Sequence, residues 1–122
     1  MKGTVLVVDD DADMLEALRD ALGDAGYPVA TAADGIEAMA YLETNPRPKL
    51  ILLDWMMPRC NGAEFRRRQN AVPELRDVPV VLLSADAHIE DKTAEAAAEA
   101  YLRKPVGLKQ LLEVVAKYVD GQ

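Results

Sequence analysis

Short apolar runs in this chain end on polar residues. Residues 5–8 lead into Asp9 and Asp10, residues 50–53 into Asp54, residues 80–83 into Ser84, and the mixed run 101–103 into Lys104. A short apolar run bounded by turn residues is typical of a buried parallel strand. Ligands of open parallel sheets bind outside the carboxyl ends of the strands. The pattern therefore predicts three carboxylates, a hydroxyl and an ammonium at one edge of one sheet.

Amphipathic helices alternate with these strands. The first carries an apolar stripe with helical spacing, formed by Leu15, Leu18 and Leu22. Asp11 or Asp13 is suited to begin this helix, and Gly26 is suited to end it in a left-handed conformation. A shorter and weaker strand is predicted over residues 27–32.

The remaining helices are indicated by capping residues and by their apolar faces. Asp34 with Glu37, and Asn61 with Glu64, have the spacing of capping boxes. The second helix is predicted to face the core with Ile36, Met39 and Ala40. An alanine-rich fourth helix is expected over about residues 87–98. The last helix is predicted to bury Leu108, Leu111, Leu112, Val115 and Val119.

The alternation of strands and helices with short connections predicts right-handed βαβ units. Such units form a parallel sheet with helices on both faces. The length of 122 residues suits one domain with one core. We therefore expect a doubly wound α/β domain over residues 1–122.

Charge and composition exclude several classes of partner. The chain has 14 basic residues against 21 acidic ones, a formal charge of −7. This balance argues against direct binding of nucleic acid or an anionic membrane, both of which need clustered Lys and Arg. The basic run 66–68 is interpreted as the solvated face of a helix. With a single cysteine, Cys60, and no apolar run of membrane-spanning length, a cytoplasmic location is expected.

The predicted edge of the sheet has the chemistry of phosphoryl transfer. Asp9, Asp10 and Asp54 would repel one another, so they imply either a shared proton or a bound divalent metal. A site of hard oxygen ligands with room for water and phosphate suits Mg²⁺. Lys104 and the hydroxyl of Ser84 would complement an anion brought to that metal. A carboxylate nucleophile, a metal and donors for phosphoryl oxygens are the parts that such a site requires.

Four motifs occur in order along the chain: V-V-D-D at 7–10, L-L-D-W-M-M-P at 52–58, L-L-S-A at 82–85 and Y-L-R-K-P at 101–105. With these motifs the chain resembles the receiver domain of bacterial two-component response regulators, a family that includes the single-domain chemotaxis regulator. The resemblance covers essentially the whole chain. It implies a flavodoxin-like fold with strand order 2-1-3-4-5. It also implies a cis peptide bond between Lys104 and Pro105.

The resemblance implies that Asp54 is the phosphoacceptor. Its carboxylate would attack the phosphorus of a phosphohistidine on a sensor kinase, or of a small phosphodonor. Asp10, Asp54 and the backbone carbonyl of Met56 would hold Mg²⁺ or Mn²⁺ directly, and Asp9 would act through water. The domain would then catalyse its own phosphorylation and dephosphorylation but act as an enzyme on no other substrate.

The resemblance also implies a switch. Lys104 would pair with Asp54 before phosphorylation and with the phosphoryl group afterwards. Ser84, where the family more often has Thr, would move to hydrogen-bond a phosphoryl oxygen, and Tyr101 would turn from exposed to buried. Met56 and Asp86 are expected to tune the lifetime of the phosphoryl group, since Asp86 can hydrogen-bond a water and Met56 cannot.

The expected partners follow from the same resemblance. A sensor histidine kinase or a phosphotransfer protein would supply the phosphoryl group. A downstream protein, or a second receiver in a homodimer, would bind the face formed by the fourth helix, the last strand and the last helix. The chain is expected to be a stand-alone receiver or the receiver part of a longer regulator. Residues 96–100 lack the glycine that receivers often carry there, so the end of the fourth helix is left open.

Three other interpretations compete with this one. Asp9, Asp11 and Asp13 alternate as in a calcium loop, but Met14 and Asp20 stand where such a loop needs Gly and Glu. The D-x-D at residues 9–11 also resembles haloacid-dehalogenase-like phosphohydrolases, an interpretation that leaves residues 54–58 unexplained. A receiver fold that only binds partners and takes no phosphate remains open.

Overall fold

A computed structural model describes residues 3–55, 62–85, 88–96 and 98–120, in which five strands and five helices alternate. The strands are β1 (Val5–Val8), β2 (Val29–Ala32), β3 (Leu50–Asp54), β4 (Val80–Ser84) and β5 (Ala100–Arg103). The helices are α1 (Ala12–Asp24), α2 (Gly35–Thr44), α3 (Gly62–Asn70), α4 (Ile89–Ala96) and α5 (Leu108–Val119). The apolar runs were therefore predicted correctly as strands, while β2 begins two residues later than expected.

The strands form one parallel sheet in the order β2-β1-β3-β4-β5, which confirms the predicted fold. β3 is the central strand, and all residues of β1, β3 and β4 are buried. The register places Val8 beside Leu53 and Ser84 beside Arg103. The carboxyl ends of these strands therefore lie along one edge of the sheet.

Successive strand residues point to opposite faces of the sheet, and each face is covered by helices. One apolar cluster joins Leu6 and Leu53 to Met39 of α2, Phe65 of α3 and Ile89 of α4. The opposite cluster combines apolar residues of β1, β3, β4 and β5 with those of α1 and α5, including Val7, Leu22, Leu52, Leu111 and Val115. This arrangement is the doubly wound sandwich that the sequence predicted. Among the described residues, no helix combines the length and the apolar character needed to span a membrane.

Local signals correctly predicted where the first two helices begin. The Asp11 side chain accepts hydrogen bonds from the backbone N–H groups of Asp13 and Met14 at 3.0 and 3.3 Å, and so caps α1. Gly26 follows this helix with a φ of 92°, the left-handed conformation that glycine adopts without strain. Asp34 caps α2 by accepting from the N–H of Glu37 at 2.8 Å. The expected cap of α3, Asn61, lies outside the described residues.

Three apolar helix residues predicted to be buried are exposed. Ile36 is 42% exposed and Ala40 is also exposed, because α2 turns Ala38 and Leu42 to the sheet together with Met39. Leu108 is 57% exposed, since it begins α5 at the carboxyl edge of the sheet, before the helix reaches the core.

The basic run 66–68 was only partly predicted correctly. Arg67 and Arg68 lie on the solvated face of α3, where both pair with Glu64. Arg66 instead is 6% exposed and donates to the side-chain oxygen of Gln69 at 2.7 Å. Burial lowers the pKa of the Arg66 guanidinium, and the charge of Glu99 opposes that shift.

Candidate functional site

The carboxyl edge of the sheet brings three carboxylates together. Asp9 and Asp10 directly follow β1, and Asp54 ends the adjacent strand β3. One carboxylate oxygen from each lies within 4.8 Å of the others. Asp9 is 0% exposed and Asp54 5% exposed, whereas Asp10 is exposed. The cluster therefore meets solvent at Asp10.

Both carboxylate oxygens of Asp9 accept hydrogen bonds from the protein. Oδ1 accepts from the backbone N–H of Asp11 at 2.9 Å, and Oδ2 accepts from Lys104 Nζ at 3.0 Å. These two bonds fix the orientation of the Asp9 carboxylate. They also satisfy a charged group that would otherwise be costly to bury.

Lys104 is the cation of this cluster. Its Nζ lies 3.0 Å from Asp9 Oδ2 and 3.6 Å from Asp54 Oδ1, so the expected pairing with Asp54 is present and the shorter contact is to Asp9. Burial alone would lower the pKa of Lys104, but the hydrogen bond to Asp9 and the charge of Asp54 raise it overall. The ammonium therefore stays charged at neutral pH. The Lys104–Pro105 bond is cis, as the resemblance implied.

Ser84 and Tyr101 lie on the two strands beside the cluster. Ser84 ends β4, is 4% exposed, and its carbonyl accepts from the backbone N–H of Lys104 at 3.0 Å. Tyr101 of β5 is half-buried and packs against the apolar cluster that includes Trp55 and Ile89. The Tyr101 ring is thus less exposed in this structure than the resemblance implied.

The remaining predicted site residues, Met56 and Asp86, lie outside the described residues, as does Cys60. One neighbour of the site was not singled out from the sequence. Arg103 places its guanidinium carbon 5.7 Å from the centre of the Tyr101 ring. The available signal was the spacing of two along a strand, which sets both side chains on one face.

The donor set fits a magnesium ion. Three carboxylates against one ammonium leave an excess of negative charge at the edge of the sheet. Mg²⁺ prefers hard oxygen ligands, keeps several waters and is commonly held by one or two carboxylates together with phosphate oxygens. The exposure of Asp10 leaves room for such waters on the solvent side.

A doubly wound sheet with an acidic cluster and a lysine at its carboxyl edge is the architecture of a two-component receiver domain. A sequence model of the response regulator receiver domain matches residues 5–116. The chain therefore belongs to the response regulator receiver domain family, whose members are signalling domains.

Comparison with individual proteins supports this family assignment. The chain is 40% identical over 110 residues to the response regulator MprA of Mycobacterium sp. (strain KMS), an alignment that covers 88% of this chain and 46% of that protein. The chain thus spans about half the length of the curated relatives it matches.

Solved structures show the same fold. The chemotaxis response regulator CheY4 of Vibrio cholerae superposes with a TM-score of 0.89 at 29% identity, over 98% of this chain and 100% of that one. A response regulator receiver protein from Pseudomonas putida gives 0.87 at 32% identity, over 96% and 98% of the two chains.

Proposed function

We propose that this domain accepts a phosphoryl group on Asp54 from a phosphohistidine of a sensor kinase or phosphotransfer protein, and then signals to a partner protein. The observation that carries the proposal is the convergence of Asp9, Asp10 and Asp54 within 4.8 Å, with Lys104 in contact with two of them. Membership of the receiver family supports it.

Asp54 is the most suitable nucleophile of the three carboxylates. Asp9 is fully buried and both of its oxygens accept hydrogen bonds from the protein. Asp10 is exposed at the rim of the cluster. Asp54 ends the central strand, and its Oδ1 is 3.6 Å from the Lys104 ammonium, a cation able to pair with a transferred phosphoryl group.

In the proposed reaction, an Asp54 carboxylate oxygen attacks the phosphorus, and the phosphorus–nitrogen bond to the imidazole breaks. The bonding electron pair stays on the imidazole nitrogen, and an acyl phosphate forms on Asp54. Later attack by water releases inorganic phosphate and restores the carboxylate.

The other groups of the cluster would position this chemistry. Asp10, Asp54 and the backbone carbonyl of Met56 would hold Mg²⁺ or Mn²⁺, with Asp9 acting through water. A bound divalent cation would neutralise charge on the phosphoryl oxygens. Lys104 would turn from Asp54 to the phosphoryl group.

The proposed readout is a local charge change that biases a two-state element. Ser84 would hydrogen-bond a phosphoryl oxygen and draw its loop inward, and Tyr101 would move into the space that opens. The partner-binding face would comprise α4, β5 and α5. A downstream protein or a second receiver would bind there.

Intact-protein mass spectrometry with acetyl phosphate and Mg²⁺ tests the proposal. We expect a mass gain of one phosphoryl group in the wild type, no gain in Asp54→Asn, and loss of labelling when the metal is chelated. Asp91→Asn, which removes an exposed carboxylate of α4, serves as the matched control and should label like the wild type. An unlabelled wild type would favour a module that only binds partners, and a labelled Asp54→Asn would place the acceptor elsewhere.

The lifetime of the phosphoryl group gives a further prediction. Met56 cannot hydrogen-bond the attacking water, whereas an asparagine at this position can. We expect Met56→Asn to lose its phosphoryl group faster than the wild type, measured as the decay of the labelled mass after the donor is removed. Equal lifetimes in the two proteins would remove Met56 as a determinant.

A further inference from the structure

The contact between Arg103 and Tyr101 is a feature of this chain that the proposed chemistry does not use. Both residues belong to β5, and the guanidinium carbon of Arg103 lies 5.7 Å from the centre of the Tyr101 ring. This distance is within the range of a cation–π interaction, and arginine is the cation most often found in such pairs. The contact holds a charged side chain over a half-buried aromatic ring.

The register of the sheet places this pair beside the proposed phosphorylation site. Tyr101 lies opposite Leu82 on β4, and Arg103 lies opposite Ser84. The backbone N–H of Lys104 then donates to the Ser84 carbonyl at 3.0 Å. Arg103 is therefore opposite Ser84 and immediately precedes the lysine of the acidic cluster.

Strand geometry and burial make the contact relevant to movement of the ring. Tyr101 and Arg103 are two positions apart in an extended strand, so their side chains stand on the same face of the sheet. Tyr101 packs against apolar residues beneath α4, while Arg103 is exposed. The ring thus lies between an apolar surface and a solvated cation. A ring that moves further inward must lose the Arg103 contact or take the arginine with it.

We propose that Arg103 is a positioning residue that holds Tyr101 in its resting, half-buried place and so sets how readily the domain switches. This inference rests on the proposed function, in which Tyr101 moves when Asp54 is phosphorylated. An exposed cation–π contact stabilises the resting state enough to change the equilibrium between ring positions about two- to fivefold. Loss of the contact would favour the inward ring before any phosphoryl group is added.

The test uses the full chain labelled with 3-fluorotyrosine, and the Tyr101 resonance is assigned by its absence in Tyr101→Phe. The ¹⁹F spectrum of the unmodified protein is compared among the wild type, Arg103→Gln and Arg103→Lys. Arg76→Gln removes an exposed arginine between α3 and β4 and is the matched control. Each protein is then titrated with beryllofluoride, a phosphoryl mimic, in the presence of Mg²⁺.

In the unmodified protein we expect the Tyr101 resonance of Arg103→Gln to move toward its beryllofluoride-bound position. Arg103→Lys should fall between Arg103→Gln and the wild type, and Arg76→Gln should match the wild type. The beryllofluoride concentration at half-saturation should fall about two- to fivefold in Arg103→Gln.

The two arms separate this inference from the proposed function. An unchanged Tyr101 resonance in unmodified Arg103→Gln would overturn the role of Arg103, even if beryllofluoride binds normally. A shift as large in Arg76→Gln would overturn it as well, because the effect would then come from net charge. A wild type that does not respond to beryllofluoride would contradict the proposed function and the link between Arg103 and switching. A Tyr101 resonance that still differs between Arg103→Gln and the wild type, but not between Arg76→Gln and the wild type, would then support only the contact of Arg103 with the ring.

Discussion

Replacing Lys104 with methionine is expected to lower the free energy of unfolding by about 3 kcal/mol in metal-free buffer near neutral pH. The ammonium contacts Asp9 at 3.0 Å and Asp54 at 3.6 Å. Both carboxylates are at least nine-tenths buried, so removal of this cation leaves them in a low dielectric near Asp10. Breaking a fully buried ion pair costs about 3–5 kcal/mol. We expect the lower end of this range because the Lys104 side chain is 22% exposed.

The effect of Lys104→Met has a defined pH range. Burial lowers the pKa of Lys104, but the hydrogen bond to Asp9 and the charge of Asp54 raise it above the ordinary value of 10.5. A pKa that is higher in the folded state stabilises the fold below the unfolded pKa, and this contribution is lost as the pH rises through the folded pKa. The difference in unfolding free energy between the wild type and Lys104→Met should therefore persist through neutral pH and narrow above pH 10.5.

Urea unfolding with and without Mg²⁺ measures this effect. A cation that binds the folded variant stabilises it by mass action, so added Mg²⁺ should restore part of the lost stability. Lys109→Met removes an exposed lysine of α5 and should change the stability by less than about 0.5 kcal/mol. A Lys104→Met protein as stable as the wild type without metal would mean that the buried carboxylates do not need this ammonium in order to stay buried.

The strands and their polar ends could be predicted from sequence because the signal is local. The runs ending at Asp54 and Ser84 are buried on both faces of the sheet, so every residue in them is apolar up to the last. The convergence of Asp9 and Asp54 then follows from parallel topology alone. Of the two ion pairs that Lys104 makes, the sequence did not predict the shorter one, to Asp9. The register of the sheet allows the lysine to reach either carboxylate.

The burial of helix residues was harder to predict, because periodicity shows that a helix has an apolar face but does not fix which of its apolar residues pack against the sheet. The capping residues correctly fixed where α2 begins, yet Ile36 points to solvent and Ala38 to the sheet. These two residues are two positions apart, about 200° around the helix, so they lie on nearly opposite sides and only one of them can face the sheet. Leu108 is exposed for a different reason, because it is the first residue of α5 and the buried side of the helix begins only at Leu111.

Buried polar residues are the least predictable from sequence, since their partners are distant along the chain. Arg66 and Gln69 lie on α3 among residues whose composition indicates a solvated face. Gln69 is nevertheless 0% exposed and donates from Nε2 to the carbonyls of Leu75 and Val78 at 2.8 and 3.1 Å. Its oxygen accepts from Arg66 at 2.7 Å. These bonds fasten the connection between α3 and β4 to the helix.

Gln69→Leu is therefore expected to cost about 3 kcal/mol of stability although leucine is apolar and of similar size. The substitution removes one donor from each of two buried backbone carbonyls and one acceptor from the buried Arg66 guanidinium. The Leu75 carbonyl still accepts a hydrogen bond from the N–H of Val78 at 3.1 Å. The lost hydrogen bonds therefore matter most for the Val78 carbonyl and for Arg66. A buried carbonyl left without a donor costs about 1–3 kcal/mol, and the loss of the hydrogen bond between Gln69 and the charged Arg66 guanidinium adds to that cost.

Gln110→Leu is the matched control, because Gln110 is exposed on α5 and undergoes the same chemical change. Its stability in urea should stay within about 0.5 kcal/mol of the wild type. Hydrogen exchange gives a second readout, since the amides of Leu75 and Val78 should exchange faster in Gln69→Leu while those of β1 follow global unfolding. A neutral or stabilising Gln69→Leu would mean that apolar burial at this position outweighs the three hydrogen bonds. In that case the side chain would not be what holds the α3–β4 connection in place.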